Sequence, residues 1–314
     1  MNFSKNISLK KLNTFGIKAN CKLFTEVHSK SHIKKLVQSE EFKKNNYLIL
    51  GGGSNILFTK DFDGIIIKNE IKGINIISEN DYNKKIKVGA GENWHKFVLW
   101  SIENGLSGIE NLALIPGNIG ASPMQNIGAY GVEVKDVIDK VWGINLTDGK
   151  EHIFTNSECK FKYRDSIFKN ELKDKIIITH VSFNLSKIAK HNTSYGAINE
   201  ELSRLGIEKS TKNICNAVIN IRKRKLPNPD EIGNSGSFFK NPIIKSSKFK
   251  KLQNFYPDIV GYRMSDAETK VAAGWLIDKC GWKGYRKNDA GVHNNQALVL
   301  VNYCLLYTSP SPRD

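Results

Sequence analysis

Residues 111–132 read NLALIPGNIGASPMQNIGAYGV and contain no charged side chain, although 25% of the whole chain is charged. Glycine and proline recur too often in this segment for a helix, and its side chains are too apolar for a solvated loop. Such a segment can bring bare backbone N–H and C=O groups against a flat or phosphorylated ligand. We therefore expect residues 111–132 to form a ligand-binding surface made largely of backbone.

A second glycine-rich segment, GGGSN at residues 51–55, follows a short apolar run at 47–50 that predicts a strand. It leads into another apolar, β-like run at 56–58. A dinucleotide-binding glycine loop must open a helix, because it uses the helix N-terminus to bind the pyrophosphate. The context here excludes a Rossmann loop and favours a strand–loop–strand turn that exposes backbone amides to an anion.

Length and composition limit the class of protein. A chain of 314 residues can hold two or three domains, each with its own core. The five cysteines are scattered, odd in number and never in a C-x-x-C pair, which favours reduced thiols in the cytoplasm over a disulfide or zinc framework. No apolar run is long enough to span a bilayer, and the first residues lack the apolar core of a signal peptide. We expect a cytoplasmic protein with no metal site, since the histidines and acidic residues show no ligand spacing.

The net charge of +16 raises the alternative of nucleic-acid binding. Lysine is spread along nearly the whole chain, and only residues 222–225, RKRK, form a dense basic cluster. A cluster this short usually marks a solvated helix end. No recognition module accompanies the charge, so we expect no nucleic acid as a partner and regard an anionic small molecule as the simpler explanation.

Hydrophobic periodicity predicts an α+β chain. A strand ending at residues 86–91 is followed by a helix that begins at the N-cap Asn93 and ends near Gly105, an αL C-cap. The remaining predictions are strands at 137–146, 175–185 and 296–302, and helices at 211–224 and 271–280.

Two stretches carry side chains that could take part in chemistry. Residues 233–242 read GNSGSFFKNP, and a serine there can donate a proton if neighbours such as Lys225, Lys240 and Asn241 stabilise its alkoxide. The alternative is a glycine turn that leads into a Phe-Phe core strand. Arg164, in YRDS at 163–166, could clamp a carboxylate or phosphate, but an exposed ion pair with Asp165 is the safer interpretation of the sequence alone.

These segments belong to an ordered set of motifs that together resemble one family, the UDP-N-acetylenolpyruvoylglucosamine reductases, in the form that keeps a tyrosine loop in the substrate domain. The resemblance covers residues 10–303. The motifs, in order, are NTFGI (13–17), LGGGSN (50–55), GAGENWH (89–95), ENLALIPGNIGASPMQNIGAYG (110–131), YRDSIFK (163–169), KLPNP (225–229), GNSGSFFKNP (233–242), AAGWLID (272–278) and VHNNQALVL (292–300).

The resemblance implies the fold and the reaction. It implies an α+β chain with an FAD-binding region of the vanillyl-alcohol-oxidase type in two lobes, residues 1–70 and 71–205, followed by a smaller α+β substrate domain. The implied enzyme is a monomeric, cytoplasmic NADPH-dependent flavoenzyme with no membrane partner. Hydride passes from NADPH by way of FAD to the vinyl carbon of UDP-N-acetylglucosamine enolpyruvate, and protonation then gives UDP-N-acetylmuramate for peptidoglycan synthesis.

The resemblance also implies roles for individual residues. Ser237 is the proton donor, and Arg164 binds the carboxylate where negative charge develops. Tyr163, Tyr195, Lys225, Asn241 and Gln296 contact the substrate. The implied FAD contacts are Gly51, Gly52, Gly53, Ser54, Asn55, Pro116, Gly117, Gly120, Ala121, Ser122, Gln125, Asn126, Gly128, Ala129 and Tyr130.

The chain departs from the family pattern after Tyr303. In the family a glutamate near the C-terminus assists Arg164, and nothing in CLLYTSPSPRD (304–314) matches it. We therefore expect an incomplete substrate domain at 206–303, a non-native tail at 304–314, and a chain that binds FAD but reduces the enolpyruvyl substrate poorly. The competing hypotheses are another FAD-dependent oxidoreductase of the same cofactor fold and a basic nucleic-acid-binding protein.

Overall fold

The computed structural model describes residues 1–304, and its contacts divide the chain into two compact units. Unit 1 comprises residues 1–12, 18–53 and 58–222, and unit 2 comprises residues 13–17, 54–57 and the chain from Lys223 onward. The domain limits predicted at 70/71 and 205/206 stay predictions. Apart from Cys304, the predicted non-native tail lies outside the described residues.

Unit 1 begins with a four-stranded sheet in the order β1-β2-β4-β3, in which β4 pairs in parallel with both β2 and β3. Buried side chains such as Val27, Leu36 and Ile65 fill the core beside it. The predicted strand at 56–58 is wrong, because strand structure resumes only at Phe62, although no helix opens at the glycine loop either. The elements are β1 (Ser4–Ser8), β2 (Asn20–Val27), α1 (Lys30–Gln38), α2 (Glu40–Lys44), β3 (Tyr47–Leu50) and β4 (Phe62–Asn69).

The larger part of unit 1 is an antiparallel five-stranded sheet in the order β10-β9-β11-β6-β5. Its central strand, β11, pairs with β6 and β9, and its buried face packs on Trp94, Phe97 and Val98 of α3. The elements are β5 (Ile74–Glu79), β6 (Asn83–Gly89), α3 (Trp94–Glu103), β7 (Gly128–Ala129), β8 (Val132–Glu133), β9 (Ile138–Asn145), β10 (Glu151–Thr155), β11 (Ile176–Ser186), α4 (Gly196–Leu205) and α5 (Thr211–Lys225).

The bounds of α3 follow from its caps, as predicted. The Asn93 side chain accepts a hydrogen bond from the Lys96 amide at 3.0 Å, which satisfies one of the free N–H groups of the first turn. Gly105, at φ = +70°, takes the left-handed conformation that ends the helix. The helix therefore ends a few residues before the uncharged segment begins at residue 111.

Unit 2 contains two small antiparallel sheets, β12-β18-β17-β16 and β13-β15-β14. The helix predicted at 271–280 begins later than expected, because Val271 is the last residue of a strand that pairs with Gly261. The strand predicted at 296–302 is shorter than expected and starts at Val299. The elements are β12 (Gly233–Ser237), β13 (Ile243–Lys245), α6 (Ser246–Phe255), β14 (Gly261–Arg263), β15 (Glu268–Val271), α7 (Ala273–Lys279), β16 (Arg286–Lys287), β17 (Ala290–Val292) and β18 (Val299–Asn302).

Two properties of the described chain bear on its class. Among residues 1–304, no helix has the length and apolar character that crossing a membrane requires. The same residues bring together no group of histidine, cysteine and acidic side chains that could hold a metal ion.

His180, on the central strand β11, is an ionisable group inside unit 1. Its Nδ1 atom is buried and has no hydrogen-bond partner among the described residues. Burial, reinforced by the nearby positive charges of Lys87 and Lys30 and opposed by Glu151, lowers the pKa of His180 from 6.5 to about 4. The folded protein therefore holds this imidazole neutral, whereas the unfolded chain protonates it below pH 6.5.

This difference predicts an acid-sensitive fold. Because the unfolded chain binds the His180 proton first, the free energy of unfolding should fall as the pH drops from 6.5 to 4 and not change on this account above pH 6.5. Urea denaturation at several pH values measures this loss. His180→Gln should flatten the profile and His152→Gln, at an exposed position on β10, should not. Equal slopes for His180→Gln and wild type would contradict the assignment.

Candidate functional site

Two glycine-rich stretches of unit 1, residues 51–53 and the uncharged segment 111–132, meet through their backbones. A Cβ atom placed on Gly52 would lie 3.0 Å from the Gly117 Cα and 3.1 Å from the Asn118 Oδ1. Only glycine allows this approach without displacing the neighbouring chain. The two loops that the sequence marks as backbone-rich therefore form one surface.

Residues 117–120 are held in place by the strand end at 89–94. The Trp94 amide donates to the Gly117 carbonyl at 3.0 Å, and the Gly120 amide donates to the Ala90 carbonyl at 2.9 Å. A Cβ on Gly120 would lie 2.7 Å from the Ala90 Cβ, closer than side chains come. This surface is consequently rigid and carries few side chains.

Beyond it, β7 and β8 form a tight hairpin whose turn residues are Tyr130, at φ = +48°, and Gly131, at φ = +80°. The Asn111 side chain donates to the Tyr130 carbonyl and to the Asn192 carbonyl, both at 2.9 Å. The Tyr195 ring, 46% exposed, packs edge-on against the Tyr130 ring with a centroid distance of 5.2 Å. The structure thus brings Tyr195 to the hairpin of the uncharged segment.

The interpretation of residues 222–225 as a solvated helix end is wrong for Arg222. Lys223, Arg224 and Lys225 are exposed, but the Arg222 Nε is buried without a hydrogen-bond partner among residues 1–304. Its guanidinium lies beside the Tyr130 hydroxyl, and burial lowers the pKa of Arg222. Burial likewise raises the pKa of Tyr130. A buried cation with an unused donor, beside Tyr130 of the uncharged segment, fits an anionic ligand.

Arg164 does not form the ion pair with Asp165 that we considered the safer interpretation. Its Nη1 donates to the Asn126 carbonyl at 3.2 Å, and its Nη2 donates to the Gly128 carbonyl. Asp165 instead accepts from Asn170 at 2.9 Å. Within the described residues, two of the five guanidinium N–H groups are used in this way, and three can face a carboxylate.

Ser237 is the last residue of β12 and is exposed. The register between β12 and β18 shifts between Asn234 and Ser237, where Gly236 takes a left-handed conformation at φ = +66°. The alternative of a Phe-Phe core strand is wrong, since Phe238 and Phe239 are 45% and 46% exposed. A bulge that turns a serine outward is a common arrangement for a functional side chain.

The other candidates in unit 2 are dispersed over separate elements. The Asn241 Oδ1 accepts from the Ala273 amide at 2.9 Å, which caps α7 and orients the Asn241 amide nitrogen. Lys225 is the exposed last residue of α5, and Gln296 is half-buried in the turn before β18. A largely apolar cavity of about 630 Å³ also lies in unit 2, and its lining includes Phe239 but none of Ser237, Asn241 and Gln296.

Sequence reasoning missed two functional candidates in unit 1. Arg222 was hidden in a basic run whose other members are exposed, and Asn111 was counted only as part of the uncharged segment. The one available signal for Arg222 was its position four residues after Val218, on the apolar side of α5.

Comparisons with known proteins agree with this geometry. A family model described as an FAD binding domain matches residues 21–155, and one described as the C-terminal domain of UDP-N-acetylenolpyruvoylglucosamine reductase matches residues 228–305. The UDP-N-acetylenolpyruvoylglucosamine reductase of Flavobacterium johnsoniae is 52% identical over 96% of this chain and 90% of its own length, and that of Amoebophilus asiaticus is 48% identical over the same shares. The crystal structure of the corresponding reductase from Thermus caldophilus shares the fold, with a TM-score of 0.66, 23% identity, and coverage of 96% of this chain and 89% of that chain.

Proposed function

Since this chain belongs to the UDP-N-acetylenolpyruvoylglucosamine reductase family, we propose that Ser237 and Arg164 carry its chemistry and that the backbone surface of unit 1 holds its cofactor. The protein is an FAD-containing, NADPH-dependent oxidoreductase of peptidoglycan precursor synthesis. It reduces the enolpyruvyl group of UDP-N-acetylglucosamine enolpyruvate and yields UDP-N-acetylmuramate.

The cofactor assignment rests on two observations in unit 1, the close contact between Gly52 and Gly117 and the buried Arg222 beside Tyr130. FAD has a flat ring and a pyrophosphate, which need close backbone approach and positive potential. Both are present without a Rossmann helix. The chemistry that FAD supplies when bound is hydride transfer from NADPH to the substrate. Arg222 would balance negative charge on the cofactor, and the glycines would leave room for it.

Ser237 is the residue we assign to proton donation. Hydride addition to the vinyl carbon leaves negative charge on the neighbouring carbon, which bears the carboxylate and must receive a proton. The exposed hydroxyl of Ser237 can donate it, provided that cationic or amide groups stabilise the resulting alkoxide. We assign that support to Lys225 and to the oriented amide of Asn241.

Arg164 is the residue we assign to the carboxylate. Its three remaining N–H groups include the planar fork that matches a carboxylate. Charge spreads into this carboxylate as hydride is added, so an interaction there strengthens toward the transition state and lowers the barrier. Tyr163, whose ring lies 5.4 Å from the Arg164 guanidinium carbon, supports the guanidinium from one side.

The remaining substrate contacts are assigned to Tyr195 and Gln296. The exposed ring of Tyr195, held against Tyr130, is suited to close over the substrate diphosphate. Gln296 would contact the nucleotide. We further propose a cytoplasmic monomer, and light scattering of the purified protein in size-exclusion chromatography measures the oligomeric state directly.

Arg222→Met tests the cofactor assignment. Removing a buried charge and filling its volume with an apolar side chain should leave the melting temperature of the apoprotein unchanged or raise it. The same change should weaken FAD binding about 10- to 100-fold, since a hydrogen bond to a charged group contributes roughly 1.5–3 kcal/mol. Titration of apoprotein with FAD measures the affinity. Lys223→Met, at an exposed position on the same helix, is the matched control, and wild-type FAD affinity in Arg222→Met would refute the assignment.

A further inference from the structure

Asn126 lies at the centre of a buried hydrogen-bond network in unit 1. Its side chain is fully buried, and its Nδ2 donates to the Glu133 Oε2 at 3.1 Å and to the Lys162 carbonyl at 3.0 Å. Its Oδ1 accepts from the Lys135 amide at 3.0 Å. One amide side chain therefore joins the uncharged segment, the strand β8 and the loop that carries Arg164.

These bonds exhaust what the Asn126 side chain can donate. An amide group has two N–H donors, and both are used within the protein. Both side-chain donors are consequently committed to protein partners, and the backbone carbonyl of Asn126 accepts from Arg164. Its role in the reaction, if any, must pass through the groups it holds.

Arg164 depends on this network for its position. It sits in a tight turn, closed by hydrogen bonds between Lys162 and Asp165, with a left-handed backbone at φ = +54°. Few non-glycine residues adopt this conformation without support from neighbours. The turn is attached at Lys162 by the Asn126 side chain and at Ser166 by a 2.7 Å bond to the Met124 carbonyl.

Asn126 and Glu133 also fix the two carbonyl groups that accept hydrogen bonds from the Arg164 guanidinium. One is the Asn126 carbonyl itself, and the other is that of Gly128, which lies between the arginine and Glu133. A Cβ on Gly128 would lie 2.8 Å from the Arg164 Nη1 and 3.0 Å from the Glu133 Cγ. Movement of Glu133 or Asn126 would therefore shift both acceptors of the guanidinium.

We infer that Asn126, oriented by Glu133, is a positioning residue that aims the Arg164 guanidinium at the substrate carboxylate. The inference rests on the role proposed above for Arg164. Glu133 also forms an ion pair with Lys135 at 2.8 Å through the same Oε2 atom, which fixes that oxygen for Asn126. Asparagine suits this position because it tolerates the left-handed backbone, φ = +44°, and supplies donors and an acceptor on one short side chain.

The experiment compares the two half-reactions of the FAD-loaded enzyme by anaerobic stopped-flow spectroscopy in Glu133→Ala, Glu133→Gln and Asn126→Ser. Misplacing a positioned group by about 1 Å can cost up to about 100-fold in rate. We expect reoxidation of the reduced enzyme by the enolpyruvyl nucleotide to slow about 10- to 100-fold in Glu133→Ala and Asn126→Ser. In Glu133→Ala, reduction by NADPH and bound FAD should stay at wild-type levels, and Glu133→Gln, which still accepts the Asn126 hydrogen bond, should recover most of the rate of reoxidation.

Two further variants complete the experiment: Lys135→Met is the matched control, and Arg164→Met tests the role on which the inference rests. Lys135→Met removes the ion pair but leaves the Asn126 bond, and it should behave as wild type. Wild-type reoxidation in both Glu133→Ala and Asn126→Ser would overturn the inference, as would a parallel loss of FAD and of NADPH reduction, which indicates only structural damage. If Arg164→Met reoxidises at the wild-type rate, the proposed role of Arg164 fails and the inference fails with it. Slow reoxidation in Arg164→Met with wild-type behaviour in the other two variants would refute the inference alone.

Discussion

Ser237→Ala is expected to slow reoxidation of the reduced enzyme by the enolpyruvyl nucleotide about 10²- to 10⁴-fold, the usual contribution of a positioned general acid. The reason is that the carbanion formed by hydride addition then has no positioned proton donor. Reduction of bound FAD by NADPH needs no proton from this side chain and should proceed at the wild-type rate. Stopped-flow absorbance of the flavin under anaerobic conditions measures both steps separately.

Ser235 provides the matched control for this prediction. It lies on the same strand, two residues before Ser237, and its Oγ is 3.5 Å from the Thr14 Oγ1. Ser235→Ala should reoxidise close to the wild-type rate, and Ser237→Cys, which keeps a proton donor, should recover part of the loss. A Ser237→Ala enzyme that reoxidises as fast as wild type would show that another group supplies the proton.

Arg164→Met is expected to lower the rate of the same step about 10²- to 10³-fold, the cost of removing a donor aimed at developing charge. Arg164→Lys should not restore the rate, because an ammonium group cannot make the two parallel bonds of a guanidinium. The half-saturating concentration of the enolpyruvyl nucleotide should rise as well, since the carboxylate is also present in the ground state. Varying the nucleotide concentration in single-turnover experiments separates the two effects.

Lys160→Met is the corresponding control in the same loop. Lys160 forms an exposed ion pair with Glu171 at 2.8 Å, and exposed pairs contribute little to stability. This variant should match wild type in both half-reactions. If Lys160→Met and Arg164→Met slow reoxidation equally, the loop as a whole is responsible and the specific role of Arg164 is refuted.

Local signals in the sequence were sufficient for much of the fold. Asn93 and Gly105 mark the ends of α3 because capping depends on side chains and conformations within a few residues. The α+β fold class and the presence of an FAD-binding domain are confirmed. This fold could be predicted only from the ordered set of motifs, because its sheets pair strands as distant in the sequence as β6 and β11.

The sequence predictions fail where contacts between residues distant in the sequence determine the local structure. Residues 56–58 are as apolar as a strand but find no pairing partner, and Val271 extends a strand because Gly261 lies opposite. Burial of Arg222 depends on Tyr130, 92 positions earlier, so a basic run could not reveal it. The same holds for Arg164, whose acceptors lie 38 and 36 residues away rather than at the adjacent Asp165.

The flavin spectrum of the purified protein, followed through a single turnover, distinguishes the proposed reductase from another flavin oxidoreductase. We expect a flavin band at about 450 nm that NADPH bleaches under anaerobic conditions. Adding the enolpyruvyl nucleotide should restore this band and release one equivalent of UDP-N-acetylmuramate, however slowly. A protein that stays colourless after incubation with FAD would contradict the proposed function, and so would a reduced flavin that only oxygen reoxidises.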